Sequence, residues 1–327
     1  MDRFKAVGGE HMSLYAERSK KLSFEGEVNP QNEKLFKQYV RAMTMKGLAK
    51  GTLTNYTSDL YQWFRFMASE QGDLLVTDAS EDDIEEFVFY CQQEGNNANR
   101  IKRRMSSISA FYKFLRRKKI VADNPVELLD RPKNVKPVVP QVYLTLEQVN
   151  LMKEVLRDQE NRQLELYALF SLSTMARVNA VSNVKWDNLD LENYQVIGVV
   201  EKGGKENENM FFSEEVKQLI LTEKKRRDEL GIDCDYLFYT KHRKEYGQAS
   251  NVTLGLWAKK IGRMIGIESG LHPHDFRHSG ATLLKNMGME LSEVSKLLNH
   301  NGVEVTQKFY IKEDNTKLKE NRSKFKI

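Results

Sequence analysis

Cysteine is scarce in this chain of 327 residues: Cys91 and Cys234 lie far apart and outside any CxxC spacing, which excludes a disulfide framework and a cysteine zinc site. Both are read as ordinary reduced thiols. Long apolar runs are also missing. No stretch approaches the roughly 20 apolar residues that span a bilayer, and the first residues lack the apolar core of a signal peptide. A cytoplasmic protein with no membrane partner is therefore expected. Glycine and proline are few, 19 and 6 residues, against a usual combined share of about 12%, so helix should dominate. What remains, 40% hydrophobic and 30% charged residues, suffices for real cores and excludes a disordered chain. The length suggests about two domains.

The net charge of +5 is mild, but its distribution is not. Between Gly95 and Pro140 twelve basic residues (Arg100, Lys102, Arg103, Arg104, Lys113, Arg116, Arg117, Lys118, Lys119, Arg131, Lys133 and Lys136) face three acidic ones, a local excess of +9. The stretch just before it, from Asp78 to Glu86, is acidic. Ile101, Met105, Ile108, Phe111, Tyr112 and Leu115 recur at helical spacing and gather the cations on the opposite side. A stripe of this kind suits a phosphate backbone, with a solvated helix face as the plainer reading.

Residues 1–29 show no apolar period and read as a loose extension. Helical patterns follow over Asn32 to Met45 and Thr52 to Ser69, then from Ser80, an N-cap with acids in the first turn, and through the basic segment. Pro125, Pro132, Pro137 and Pro140 cluster within sixteen residues and mark a linker. The expected division is an extension at 1–29, a helical DNA-binding domain at 30–124, a linker at 125–142 and a second domain at 143–327. In the second domain Thr145-Leu146-Glu147-Gln148 forms a capping box, opening a helix to about Leu156, and an apolar helix spans Gln163 to Ser173. Tyr194 to Val200 and Glu208 to Phe212 read as a hairpin around Lys202-Gly203-Gly204-Lys205, with Tyr236 to Tyr239 as a third strand. Helices are expected over Thr253 to Ile265 and His274 to Met287, the latter ended by Gly288, and from Ser292 to Asn299. No internal repeat is found.

The sharpest local signal is His274-Asp275-Phe276-Arg277-His278. At i and i+3, His274 and Arg277 project from one helical face and can reach a single anion. Four of the six histidines lie between His272 and Tyr310. That window, His272-Pro273-His274-Asp275-Phe276-Arg277-His278-Ser279-Gly280-Ala281-Thr282, then Leu297-Leu298-Asn299-His300 and Phe309-Tyr310, resembles the C-terminal signature of the tyrosine recombinases, the phage integrase family. The resemblance extends over both domains. It implies a mostly helical protein with a small β-sheet: an N-terminal helical core-binding (SAM-like) domain and an α+β catalytic domain, closing on DNA as a C-shaped clamp. The family's Arg, hairpin Lys, His-x-x-Arg, second His and nucleophilic Tyr match Arg177, Lys202, His274, Arg277, His300 and Tyr310 in order and approximate spacing.

The chemistry fits these residue types. Attack on a phosphodiester builds negative charge on the non-bridging oxygens, and Arg177 and Arg277 can neutralise it bidentately without a metal. The second domain offers no convincing carboxylate cluster, so a two-metal nuclease is disfavoured. The resemblance makes Tyr310 the covalent nucleophile, His274 the general base, His300 a phosphate donor and Lys202 the general acid, with Lys205 as the fallback. Rejoining draws on the phosphotyrosyl bond, so no cofactor is expected. Candidate DNA contacts are Arg100, Lys102, Arg103, Arg104, Lys113, Arg116, Arg117 and Lys205. Three departures stand out: Ala180 where the family usually has an acid, Thr174-Met175-Ala176-Arg177 for the common Thr-Gly-x-Arg, and Asn207 in place of an Arg after the hairpin.

The leading reading is a site-specific recombinase or integrase that cleaves and rejoins double-stranded DNA through a 3′-phosphotyrosyl intermediate, assembling as a homo-oligomer, a tetramer on paired sites. The departures motivate the alternative, a DNA-binding transcriptional regulator on the same fold. A type IB topoisomerase-like enzyme is the third reading. The tail from Ile311 to Ile327, basic with scattered apolar residues, matches a segment that packs onto a neighbouring subunit in the family.

Overall fold

The computed structural model describes residues 27–133, 142–200 and 210–299. The chain falls into two compact units that divide at residue 140.

Among the described residues the first unit holds four helices: α1 (Pro30–Met45), α2 (Lys50–Glu70), α3 (Glu81–Gln93) and α4 (Ala98–Arg117). Their starts are chemically marked. Asn29 accepts the Gln31 N–H at 2.9 Å with Pro30 in the first turn, and Ser80 and Asp83 form a reciprocal capping box. The apolar stripes meet in an aromatic core of Tyr39, Trp63, Phe64, Phe66, Phe87, Phe111 and Tyr112, all buried, with Phe36, Tyr39, Phe64 and Phe111 packed edge to face. Asn32 holds the loop before α3 by donating to Leu74 O and accepting from Val76 N–H, both at 2.9 Å. The start of the proline-bearing stretch packs onto this unit: Val126 is buried in its core, and Arg131 donates to Ser106 Oγ at 2.8 Å.

The second unit contains α5 (Leu146–Arg157), α6 (Gln163–Thr174), α7 (Val178–Asn183), β1 (Leu189–Asp190), β2 (Gln195–Val196), β3 (Met210–Phe211), α8 (Glu214–Leu230), β4 (Tyr239–His242), β5 (Glu245–Gln248), α9 (Asn251–Met264), α10 (Pro273–Asn286) and α11 (Leu291–Leu297). The apolar helix α6 is buried nearly all round, as its composition requires. Strands β1, β2 and β3 form one antiparallel sheet, with Val196 opposite Met210, so β2 and β3 bracket the segment that carries Lys202 and Lys205. Those two residues lie outside the described range.

Two expectations need correction, and one helix carries no sequence signal. Tyr236 to Tyr239 is not a third strand of that sheet: Tyr236 makes only an isolated bridge to Lys185, and Tyr239 opens a separate hairpin with β5. The last described helix is capped by Glu290 and not by Ser292. Helix α8 was not anticipated. Its inward stripe is Val216, Ile220, Glu223 and Arg227, half charged, and so gives no apolar period. Glu223 and Arg227 pair at 3.0 Å with both side chains 4% exposed, and Arg227 also donates to the carbonyls of Tyr236 and Leu237.

Candidate functional site

Helix α10 organises the candidate site. Pro273 occupies its first turn, and the buried Asp275 carboxylate accepts the His272 N–H at 2.7 Å. Burial raises the Asp275 pKa. Ser279 accepts the Leu144 N–H at 2.9 Å, and Phe276 stacks edge to face on Tyr167 of α6. Gly280 sets the approach of the two helices: a Cβ there would lie 2.3 Å from Leu172 O and 2.8 Å from Met175 Cγ. Only glycine permits this contact.

Close packing puts Arg277 within reach of two other segments. Its side chain is 4% exposed. Nη1 donates to Met175 O at 2.6 Å, and Nη2 donates to Leu298 O. Each carbonyl lies two residues before a predicted site residue, Arg177 in one case and His300 in the other. Met175 terminates α6 in the left-handed conformation at φ 50°. That geometry suits glycine, the residue the family resemblance leads one to expect there. Here Met175 tolerates it while burying its side chain against Ala281, Val294 and Leu298.

Arg177 follows as the half-buried N-cap residue of α7. His274, exposed in the first turn of α10, has its pKa lowered from the ordinary 6.5, first by desolvation, then by the Arg277 and Arg177 guanidinium groups, against an opposing pull from Asp275. Two arginines 100 residues apart in the chain thus act on one imidazole. Both guanidinium groups disfavour the charged form of the ring. Ala180 is buried in the core of this unit, 1% exposed. Among the described residues no three His, Cys, Asp or Glu side chains gather to hold a metal ion. His300 and Tyr310, like Lys202 and Lys205, lie outside the described residues.

On α4 the predicted DNA-contact residues separate. Lys113, Arg116 and Arg117 are exposed; Arg116 pairs with Glu127 at 2.9 Å, and Arg117 lies over the Phe114 ring. Lys102 is half-buried on the stripe that continues to Lys113 and Arg117. Arg103 is exposed but holds Asp59 bidentately, at 2.7 and 3.0 Å. Arg100 is half-buried, with its pKa lowered by desolvation and by Arg104 and Arg103. Arg104 does not reach the surface: it is 1% exposed and donates to Cys91 Sγ and Gln62 Oε1. The signal was present, because position 104 stands three residues after Ile101 and four before Ile108, on the apolar side. Sequence reasoning also missed Asp275 as a brace, although its spacing from His272 is that of a capping box.

The two units match two family models, the phage integrase N-terminal SAM-like domain over residues 36–119 and the phage integrase family over residues 143–317. The chain is 27% identical over 309 residues to tyrosine recombinase XerC of Pediococcus pentosaceus, covering 89% of this chain and 96% of the relative. It is 28% identical over 280 residues to tyrosine recombinase XerD of Pseudomonas putida, covering 84% and 91%. In fold it resembles the Tn1549 transposon integrase in complex with transposon right end DNA, at TM-score 0.66 and 18% identity over 90% of this chain and 99% of that one. A lambda integrase tetramer bound to a Holliday junction gives TM-score 0.66 at 16% identity, covering 93% and 82%. The order of the site residues, the two-unit architecture and these matches agree: the chain belongs to the phage integrase family of tyrosine recombinases.

Proposed function

We propose that this protein is a site-specific DNA recombinase that cleaves and rejoins double-stranded DNA through a 3′-phosphotyrosyl intermediate. The observation that carries the reading is the Arg277 guanidinium held between Met175 O and Leu298 O, two residues before Arg177 and His300 in the chain. A scissile phosphate placed beside these residues would meet guanidinium groups charged at every working pH.

In the proposed reaction the Tyr310 oxygen attacks phosphorus and its phenolic proton passes to His274. The bond to the 5′ oxygen breaks, and Lys202, with Lys205 as the alternative, protonates that leaving group. His300 donates to a non-bridging oxygen. Rejoining is the reverse, with a 5′ hydroxyl attacking the phosphotyrosyl bond, so no cofactor enters. In this reading residues 30–124 form the DNA-binding helical domain, with Lys102, Lys113, Arg116 and Arg117 along the phosphate backbone, and residues 143–327 form the catalytic domain. Strand exchange needs two duplexes, so a homo-oligomer, a tetramer on paired sites, belongs to the same proposal.

The test is a covalent-adduct assay on DNA carrying the target site. The wild type is expected to form a denaturation-resistant complex that Tyr310→Phe abolishes while leaving DNA binding intact. A protein that binds its site tightly and never forms the adduct would overturn the reading. It would favour the second one, a regulator that only binds DNA, for which the supporting observation is the apolar, buried Ala180 three residues after Arg177.

A further inference from the structure

Beside Arg177 the structure assembles a group of amides that the proposed chemistry does not use. Asn179 and Asn183 on α7, Gln248 at the end of β5 and Asn251 at the start of α9 are all exposed. Gln248 donates to Ser182 O and to Asn183 Oδ1, both at 2.9 Å, and Asn183 donates to Asn179 O at 2.7 Å, so these two lock the hairpin end to α7. Asn251 then donates from Nδ2 to Asn179 Oδ1 at 3.3 Å. The start of α9 is already capped by Ser250, which accepts the Thr253 N–H at 3.1 Å, so Asn251 is not needed as the cap.

That bridging bond decides what the pair offers outward. It consumes one acceptor on Asn179 and one donor on Asn251. The Nδ2 donor of Asn179 and the Oδ1 acceptor of Asn251 have no partner among the described residues. One donor beside one acceptor matches the major-groove edge of adenine, whose N7 accepts and whose N6–H donates. Guanine presents two acceptors there and leaves Asn251 Oδ1 facing an oxygen, and the pyrimidines offer one polar group each. Val252, the next residue, is 74% exposed, an apolar contact suited to the C5-methyl of the paired thymine. Arg177 lies two residues before Asn179, so whatever phosphate it holds brings the neighbouring base edges to these side chains.

We infer that Asn179 and Asn251 together read one A·T pair in the major groove close to the cleavage position, with Val252 against the thymine methyl. This rests on the proposal that Arg177 holds the scissile phosphate.

The experiment is selection of the full-length protein against a random duplex library, followed by binding to the enriched site. The wild type is expected to enrich adenine at one position of each half-site. Asn179→Ala and Asn251→Ala should return that position to the library background and keep the enriched bases elsewhere. Discrimination at that position should be about 10- to 100-fold in affinity for the wild type. A second measurement needs no variant: replacing that adenine by 7-deazaadenine, which lacks the N7 acceptor, should weaken wild-type binding. Unchanged adenine enrichment in both variants, or full affinity for the 7-deaza duplex, overturns the inference. Formation of the Tyr310 adduct with unaltered base preference removes the base readout alone. Loss of the adenine preference in variants of a protein that never forms the adduct removes the recombinase reading and leaves the base readout standing.

Discussion

Substituting Gly280 by alanine tests how tightly the candidate site depends on helix packing. The added Cβ would sit 2.3 Å from Leu172 O, whereas ordinary contact begins near 3.4 Å, so α10 must retreat from α6 by about 1 Å. The atom it meets is backbone, which cannot swing aside. Overpacking of this kind costs about 1–3 kcal/mol, against a total stability of about 5–15 kcal/mol, and the variant should remain folded. The same retreat carries Arg277 and His274 with it and stretches the bond from Arg277 to Met175 O. A displacement of about 1 Å can lower a rate about 100-fold. Urea unfolding of the purified variant and single-turnover adduct formation would be measured side by side. Gly255→Ala in α9 is the control, because a Cβ there meets nothing within 4 Å and alanine should stabilise the helix by about 0.5–1 kcal/mol. If Gly280→Ala matched the wild type in both midpoint and rate, the close approach of α6 and α10 would not be what holds the site.

Three further outcomes follow from the same geometry. Adduct formation requires neutral His274, and its pKa lies below 6.5; the rate should therefore be flat across neutral pH and fall only on acidification below that value, whereas Arg177→Ala removes a cation and should move the acid limb upward in a pH profile of any residual activity. Glu223→Ala leaves the buried Arg227 without its carboxylate and should cost about 3–5 kcal/mol in urea unfolding; a loss below 1 kcal/mol would mean the carbonyls alone hold Arg227. Lys113→Ala and Arg117→Ala should each weaken binding across DNA sequences and reduce the slope of log affinity against log salt by about 1, read by fluorescence anisotropy, while Arg104→Met, at a buried position, should leave that slope unchanged.

Much of the helical architecture was readable because burial follows simple periods. The caps at Ser80 and Thr145 locate the starts of two helices, and the apolar stripe identifies the buried side of α4. Helix α8 escaped because two of its four inward positions are charged, and their burial is made tolerable by partners up to ten residues further along the chain. The β4–β5 hairpin escaped for a related reason: Lys241, His242, Arg243, Lys244 and Glu245 carry no β pattern, and the turn is made by Arg243 at φ 56°. At the site, His274 and Arg277 were legible through spacing on one helix. That Arg277 binds carbonyls was not, since backbone acceptors carry no side-chain signature. Arg104 shows the opposite case, a cation whose interior location was written in the stripe and overridden by its charge.

The grip of Arg277 on Met175 and Leu298 has a consequence for synthesis. A growing polypeptide exposes Arg177 long before α10 exists, and α10 before the turn that ends at Leu298. Until that last carbonyl leaves the ribosome, the guanidinium lacks one of these anchors. Arg277 therefore reaches its full set of carbonyl partners only after all three segments have been made.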